Sequence, residues 1–161
     1  ARPALVQRDG DVVELDGITH LPMGLEDDQY HVVVRHRNHL GCMTAGAIAL
    51  SGSPTAIDLT DPGTTTYGTD ARKNVNGTMV LYAGNTVWDG LLKYAGASND
   101  RDPVLLAIGG TVPTSTTTGY LSTDVTMDGT IKYAGANNDR DPILVNIGGS
   151  VPTATRAQQL P

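Results

Sequence analysis

The chain has 161 residues, 39% of them hydrophobic, with no Phe, one Trp, 19 Gly and a formal net charge of −6 at a pI near 4.9. That acidity argues against nucleic acid as a partner, because phosphates call for clusters of Lys and Arg. No apolar run approaches the roughly 18–20 residues needed to cross a bilayer, and the single Cys42 excludes an internal disulfide and any Cys-based zinc site.

Many Val, Leu, Ile, Ala and Thr among abundant Gly suit short strands with tight turns better than long helices. ALVQR at 4–8 and DVVEL at 11–15 flank Asp9-Gly10, a hairpin signal because Gly accepts positive φ. HVVVRHR at 31–37 reads as the best strand. On it His31, Arg35, Arg37 and His39 share one face and His36 the other, which suits a solvated strand face and a turn better than a metal or anion site. Cys42 reads as a small buried hydrophobe. GAIAL at 46–50, TAIDL at 55–59 and GTMVLYAG at 77–84 complete about six strands, few for two covered sheets. The expectation for 1–83 is an incomplete antiparallel β-sandwich, so the chain as a whole is mainly β. Asn76-Gly77-Thr78 fits both a glycosylation sequon and an ordinary turn.

From Gly84 onward one phrase occurs twice. KYAGASNDRDPVLLAIGG at 93–110 and KYAGANNDRDPILVNIGG at 132–149 agree at 14 of 18 positions, 39 residues apart. Strict repetition marks a structural unit used twice, here 85–114 and 124–153. Each copy has an Asx/Gly loop (NTVWDGLLKY at 85–94, DVTMDGTIKY at 124–133), then NDRDP, then a brief apolar run. Pro103 and Pro142 are tolerated only in a first helical turn, and Asn99, Asp102, Asn138 and Asp141 supply caps. Gly109-Gly110 and Gly148-Gly149 stop the helix. Two helices of about two turns are predicted, each too short to persist alone. TSTTTGYLST at 114–123 reads as the linker between them, and as a further place for glycan.

Asp124, Thr126 and Asp128, followed by Gly129, match the opening of an EF-hand loop. Oxygens at positions 1, 3 and 5 converge on one ion, Gly at 6 makes the sharp turn and a carbonyl at 7, here of Thr130, adds a ligand. Position 12 is Gly135, not an acid; Asp141, at the helix start, takes that part if 132–137 form a bulge.

The doubled loop–helix unit resembles a dockerin-like tandem of calcium-binding repeats. LVQRDGDVV at 5–13, VVVRHRNHLG at 32–41 and the NDRDP repeats resemble the C-terminal region of large secreted or cell-surface proteins of Bacteroidota. The resemblance implies an extracellular, non-enzymatic protein: a β-sandwich over 1–83 followed by a calcium-binding tandem over 84–161. It implies one or two Ca²⁺ ions. The second site would use Asp124, Thr126, Asp128, the Thr130 carbonyl, Asn138 and Asp141; the first would use Asn85, Asp89, the Leu91 carbonyl, Asn99 and Asp102. Val87 and the uncharged Asn85 weaken the first set, and Asp100 and Asp139 are alternative ligands. The competing reading is that these carboxylates only cap helices and turns.

In proteins of this resemblance a further strand precedes the segment at 5–13. A sandwich lacking it exposes unpaired backbone and invites strand addition from a second copy. Head-to-tail addition builds filaments. The expected function is a calcium-stabilised subunit of a bacterial surface filament; the alternative is a dockerin-like accessory or adhesive module using Leu105, Leu106, Leu144 and Val145. The sequence opens without a signal-peptide pattern, so an exported chain would already be processed.

Overall fold

The computed structural model describes residues 2–7 and 10–161. Strands predominate. β1 (Leu5–Val6) pairs antiparallel with β2 (Val12–Val13), with Gly10 at φ +100° between them; Asp9, the other half of the predicted turn, lies outside the described residues.

A longer, broken hairpin follows. β3 (Asp28–Tyr30) pairs with β6 (Ile48–Leu50), and inside it β4 (Val33–Val34) pairs with β5 (Cys42–Met43). Two residues separate the pairs on one arm and four on the other, so the ladder cannot run through, although Thr44 stitches the gap by bonding both ways to Val32. Cys42 is fully enclosed, as its small apolar character suggests. The predicted strand at 31–37 is thus only two residues long in its paired part, because the chain turns at 37–38. TAIDL at 55–59 forms no strand either: Asp58 Oδ1 accepts from both the backbone and the hydroxyl of Thr60, and this local turn competes with pairing. β7 (Lys73–Val75) and β8 (Thr78–Val80) close around Asn76-Gly77, whose φ values of 53° and 93° suit the tight left-handed turn that hairpins favour.

The repeats supply β9 (Leu91–Lys93), α1 (Arg101–Ala107), β10 (Thr116–Thr118), β11 (Thr130–Lys132), α2 (Asp141–Asn146) and β12 (Thr155–Ala157). Their pairing is reciprocal. The strand after α1 pairs with the loop strand of the second repeat, β10 with β11. The strand after α2 returns to the first, β12 with β9. Each helix likewise packs on the other repeat's strand, α1 on β11 and α2 on β9. The predicted linker at 114–123 is therefore partly a strand.

Both helices begin and end as their punctuation requires. Asn99 Oδ1 accepts the Asp102 N–H at 2.9 Å and Asn138 Oδ1 the Asp141 N–H at 2.9 Å. At the other end Gly110 N–H returns to Leu105 O and Gly149 N–H to Leu144 O, satisfying carbonyls the helix leaves open. The core lies here: Leu92, Val104, Ile131 and Ile143 are fully buried, with Ile108 and Ile147 beside them, and Leu40 and Tyr82 enter from the first half. By contrast, among the described residues before Leu40 only Val13 is a buried apolar side chain. Every sheet among the described residues has just two strands.

Candidate functional site

In each repeat the residue that organises the loop is the second one of NDRDP. Asp100 and Asp139 are wholly buried. Asp139 Oδ2 accepts the Lys132 N–H at 2.8 Å, while Oδ1 accepts the Thr126 N–H at 2.9 Å and its hydroxyl at 3.1 Å. Asp100 does the same with Lys93 and Val87, at 2.8 and 3.2 Å, and the Thr86 hydroxyl adds a bond to its carbonyl. One carboxylate thereby staples the loop's start to its strand. Burial pushes the Asp100 carboxyl up to about 6, although the N–H groups of Lys93 and Val87 pull the other way.

The remaining acids have separate partners. Asp124 is buried, and its carboxylate accepts the N–H groups of Asp128 and Gly129 at 3.1 and 3.2 Å and the Arg37 guanidinium at 3.3 Å. Asp128 is exposed and caps its own turn through the Thr130 N–H, as Asp89 does through Leu91. Asp141 accepts from Asn138 Nδ2 at 2.8 Å and from Arg140, which together hold its carboxyl below the usual range. Asp102 accepts from the matching side chains, Asn99 Nδ2 at 2.8 Å and Arg101 at 3.2 Å. Of the four expected caps, Asn99 and Asn138 accept a helix N–H, whereas among the described residues Asp102 and Asp141 accept only from side chains.

Part of the expected second ligand set borders one open depression. Thr126, Asp128, Asn138 and Asp141 line it, with Lys73 on its wall; Asp124 is not part of it. Among the described residues no group of three or more His, Cys, Asp or Glu is close enough to hold a metal. In the first repeat Asn85 and Asp89 line a different cleft, one that Asn99 and Asp102 do not border.

The stretch at 35–39, expected to be a solvated strand face and a turn, does turn at 37–38 with Arg35 exposed, but Asn38 is buried there and the stretch is the joint of the molecule. Asn38 has no exposed surface; its carbonyl accepts the N–H groups of Gly84 and Asn85, and its Nδ2 donates to the Asp124 carbonyl at 2.7 Å. Arg37 reaches Asp124 and the Leu121 carbonyl and lies 3.7 Å over the Tyr120 ring. His36 O accepts the Trp88 indole N–H at 3.2 Å. His36 and His39 meet through their Nδ1 atoms at 2.7 Å, and burial first, then neighbouring charge, lowers His39 to about 3. A run of five charged or polar residues looks like surface; here His36, Arg37 and Asn38 find partners around the two loop starts, the nearest 46 and the farthest 87 positions away. No periodicity could have announced that.

Compared with protein-family models, curated proteins and solved structures, the chain matches none. The functional reading rests on its own geometry.

Proposed function

We propose that the chain is a non-enzymatic, extracellular structural protein whose copies join head to tail by adding strands to one another's open sheets. The observation that carries this reading is the first half's lack of cover. Leu5, Val6, Leu15, Ile18, Met23 and Leu25 are all exposed, Ile18 by 82%, on a region where, among the described residues, the β1–β2 ladder is extended only by a single Val13–His20 bridge. Isolated two-stranded hairpins are marginal in water, and contiguous exposed apolar surface marks a contact. A third strand from a second copy would satisfy the free edge and cover those side chains, completing what an incomplete sandwich lacks.

Calcium in the second loop is part of the proposal. Thr126, Asp128, Asn138 and Asp141, which share one depression, would hold it and tie the loop to the start of α2. The two loop–strand–helix units of equal build support reading 84–161 as a dockerin-like tandem. The test is sedimentation velocity and negative-stain microscopy in millimolar Ca²⁺ and in chelator. Filaments that shorten on chelation are expected; a monomer at high concentration in Ca²⁺ overturns the assembly.

A second reading is favoured by the helices. Leu106 is 71% exposed and Val145 55%, whereas Leu105 and Leu144 pack on the core. A module binding a partner through these helix faces would run as a monomer and lose binding in Leu106→Asp.

A further inference from the structure

Beside the first loop lies a small polar cleft that the assembly does not use. Its volume is about 110 Å³, and Arg35, His39, Asn85, Trp88, Asp89, Gly90 and Gln158 form it. That is small against the roughly 300–1,000 Å³ of a drug-sized pocket. It suits one ring or chain end entering from solvent.

The hydrogen-bonding character of the cleft is mixed. Asn85 is 2% exposed, and its Oδ1 has no hydrogen-bond partner among the described residues. A buried acceptor in that state is unfavourable by about 1–3 kcal/mol until a donor reaches it. His39 Nδ1 sits 2.8 Å from Asn38 Oδ1. The same nitrogen lies 2.7 Å from His36 Nδ1, so this side of the ring is engaged with the joint and not with the cleft. Gln158 Oε1 accepts the Gly41 N–H at 2.8 Å, so its Nε2 remains a donor, close over Gly90. Asp89 has one oxygen on Leu91 and a second to offer, and Arg35 brings a guanidinium.

Trp88 completes the rim. It is 59% exposed, an unusual state for the one Trp of the chain, and its backbone is held at φ +58°, a conformation side chains rarely adopt. The bond from its indole N–H to His36 O fixes the ring's direction. A large aromatic surface is thus oriented toward water beside the cleft; the backbone turn belongs to the loop itself, since Met127 at the matching position of the second repeat has φ +59°.

These features discriminate among ligands. A bare cation would meet Arg35, and an anion would meet the Asp89 carboxylate. A ligand whose every polar group both donates and accepts, and which has an apolar face to lie on an indole, satisfies all of them together. We infer that the cleft beside Trp88 binds a neutral saccharide, with hydroxyls donating to the second oxygen of Asp89 and accepting from Gln158 and Arg35 while one sugar face rests on the indole.

Trp88 is the only tryptophan, so its emission reports on this cleft alone. The full chain is titrated with glucose, galactose, mannose and N-acetylglucosamine and with the tetramers of each, followed by fluorescence and calorimetry. At least one should give a saturable emission change with a matching heat. Arg35→Met, at an exposed position, and Trp88→Ala should each weaken binding by about tenfold or more, with the circular dichroism unchanged, while Trp88→Phe retains most of it. The inference is overturned if no sugar in the series produces a response up to tens of millimolar. It is equally overturned if binding is indifferent to Arg35→Met and Trp88→Ala, or if ZnCl₂ or CaCl₂ alone produces the response.

Discussion

Asn38 Nδ2 donates to the Asp124 carbonyl at 2.7 Å, joining residues 86 positions apart inside a wholly buried side chain. The same residue's backbone oxygen receives Gly84 and Asn85, so one position holds the starts of both loops. Asn38→Leu keeps approximate volume but leaves the Asp124 carbonyl without its donor. The expected loss is about 1–3 kcal/mol in urea unfolding at unchanged m-value. An effect below half a kcal/mol would mean that the joint holds without it.

The buried staple of the first loop, Asp100, predicts an unusual response to acid. Asp100 has a folded pKa raised to about 6 from 3.8. A raised carboxyl contributes stability that is full below the unfolded value and is lost as pH rises through the folded one. The difference in stability between the wild-type chain and Asp100→Asn should therefore shrink as pH climbs from about 4 to about 6 and stay level above. Even at pH 7 the variant should be weaker, because its amide points a donor at the N–H of Lys93 or Val87; about 1–3 kcal/mol is expected. Chemical denaturation of both proteins across that pH range checks it. Asp141, whose carboxyl is held low by Asn138 and Arg140, acts in the opposite sense and only below 3.8.

Gly84 sits at φ +119°, and a Cβ there would come within 2.9 Å of Ile143 Cγ1 and 3.1 Å of Leu92 Cδ1. Both neighbours are fully buried core residues with no room to retreat. Gly84→Ala combines backbone strain with overpacking and should lower stability by about 2–4 kcal/mol. Gly129→Ala tests the conformation alone: φ is +80° but no atom lies within 4 Å of the added carbon, so the loss should be clearly smaller. Thermal unfolding of the two variants separates the terms.

Self-association through the first half predicts that Leu15→Ser with Ile18→Ser, both at exposed positions, abolishes concentration-dependent sedimentation while leaving the unfolding midpoint within a degree or two. A double variant that still polymerises places the contact elsewhere. For the second loop, Asp128→Asn should remove any Ca²⁺-dependent rise in the unfolding temperature without changing the temperature measured in chelator, since Asp128 is exposed and bonds only its own turn.

The helices were legible because their ends are written in residues with few alternatives: Asn99 and Asn138 as caps, Pro103 and Pro142 in the first turn, paired glycines as stops. The hairpins at Gly10 and Asn76-Gly77 follow from the same kind of local chemistry. The exchanged strands were not legible. TTT at 116–118 and TRA at 155–157 carry no apolar alternation, since each covers only the edge of a strand whose own side chains make the core. Nor could the sequence rank Asp100 above Asp102: both are acids one residue apart, and only burial, 0% for the first, decides which one the loop closes on.

The crossed pairing of β9 with β12 and β10 with β11 makes the duplication indivisible. A single copy would present a bare ladder with nothing to zip onto it, and a third would find no free counterpart. Lengthening this half by evolution or by engineering must therefore proceed two units at a time, and cutting it between residues 119 and 129 should unfold both fragments until they are mixed.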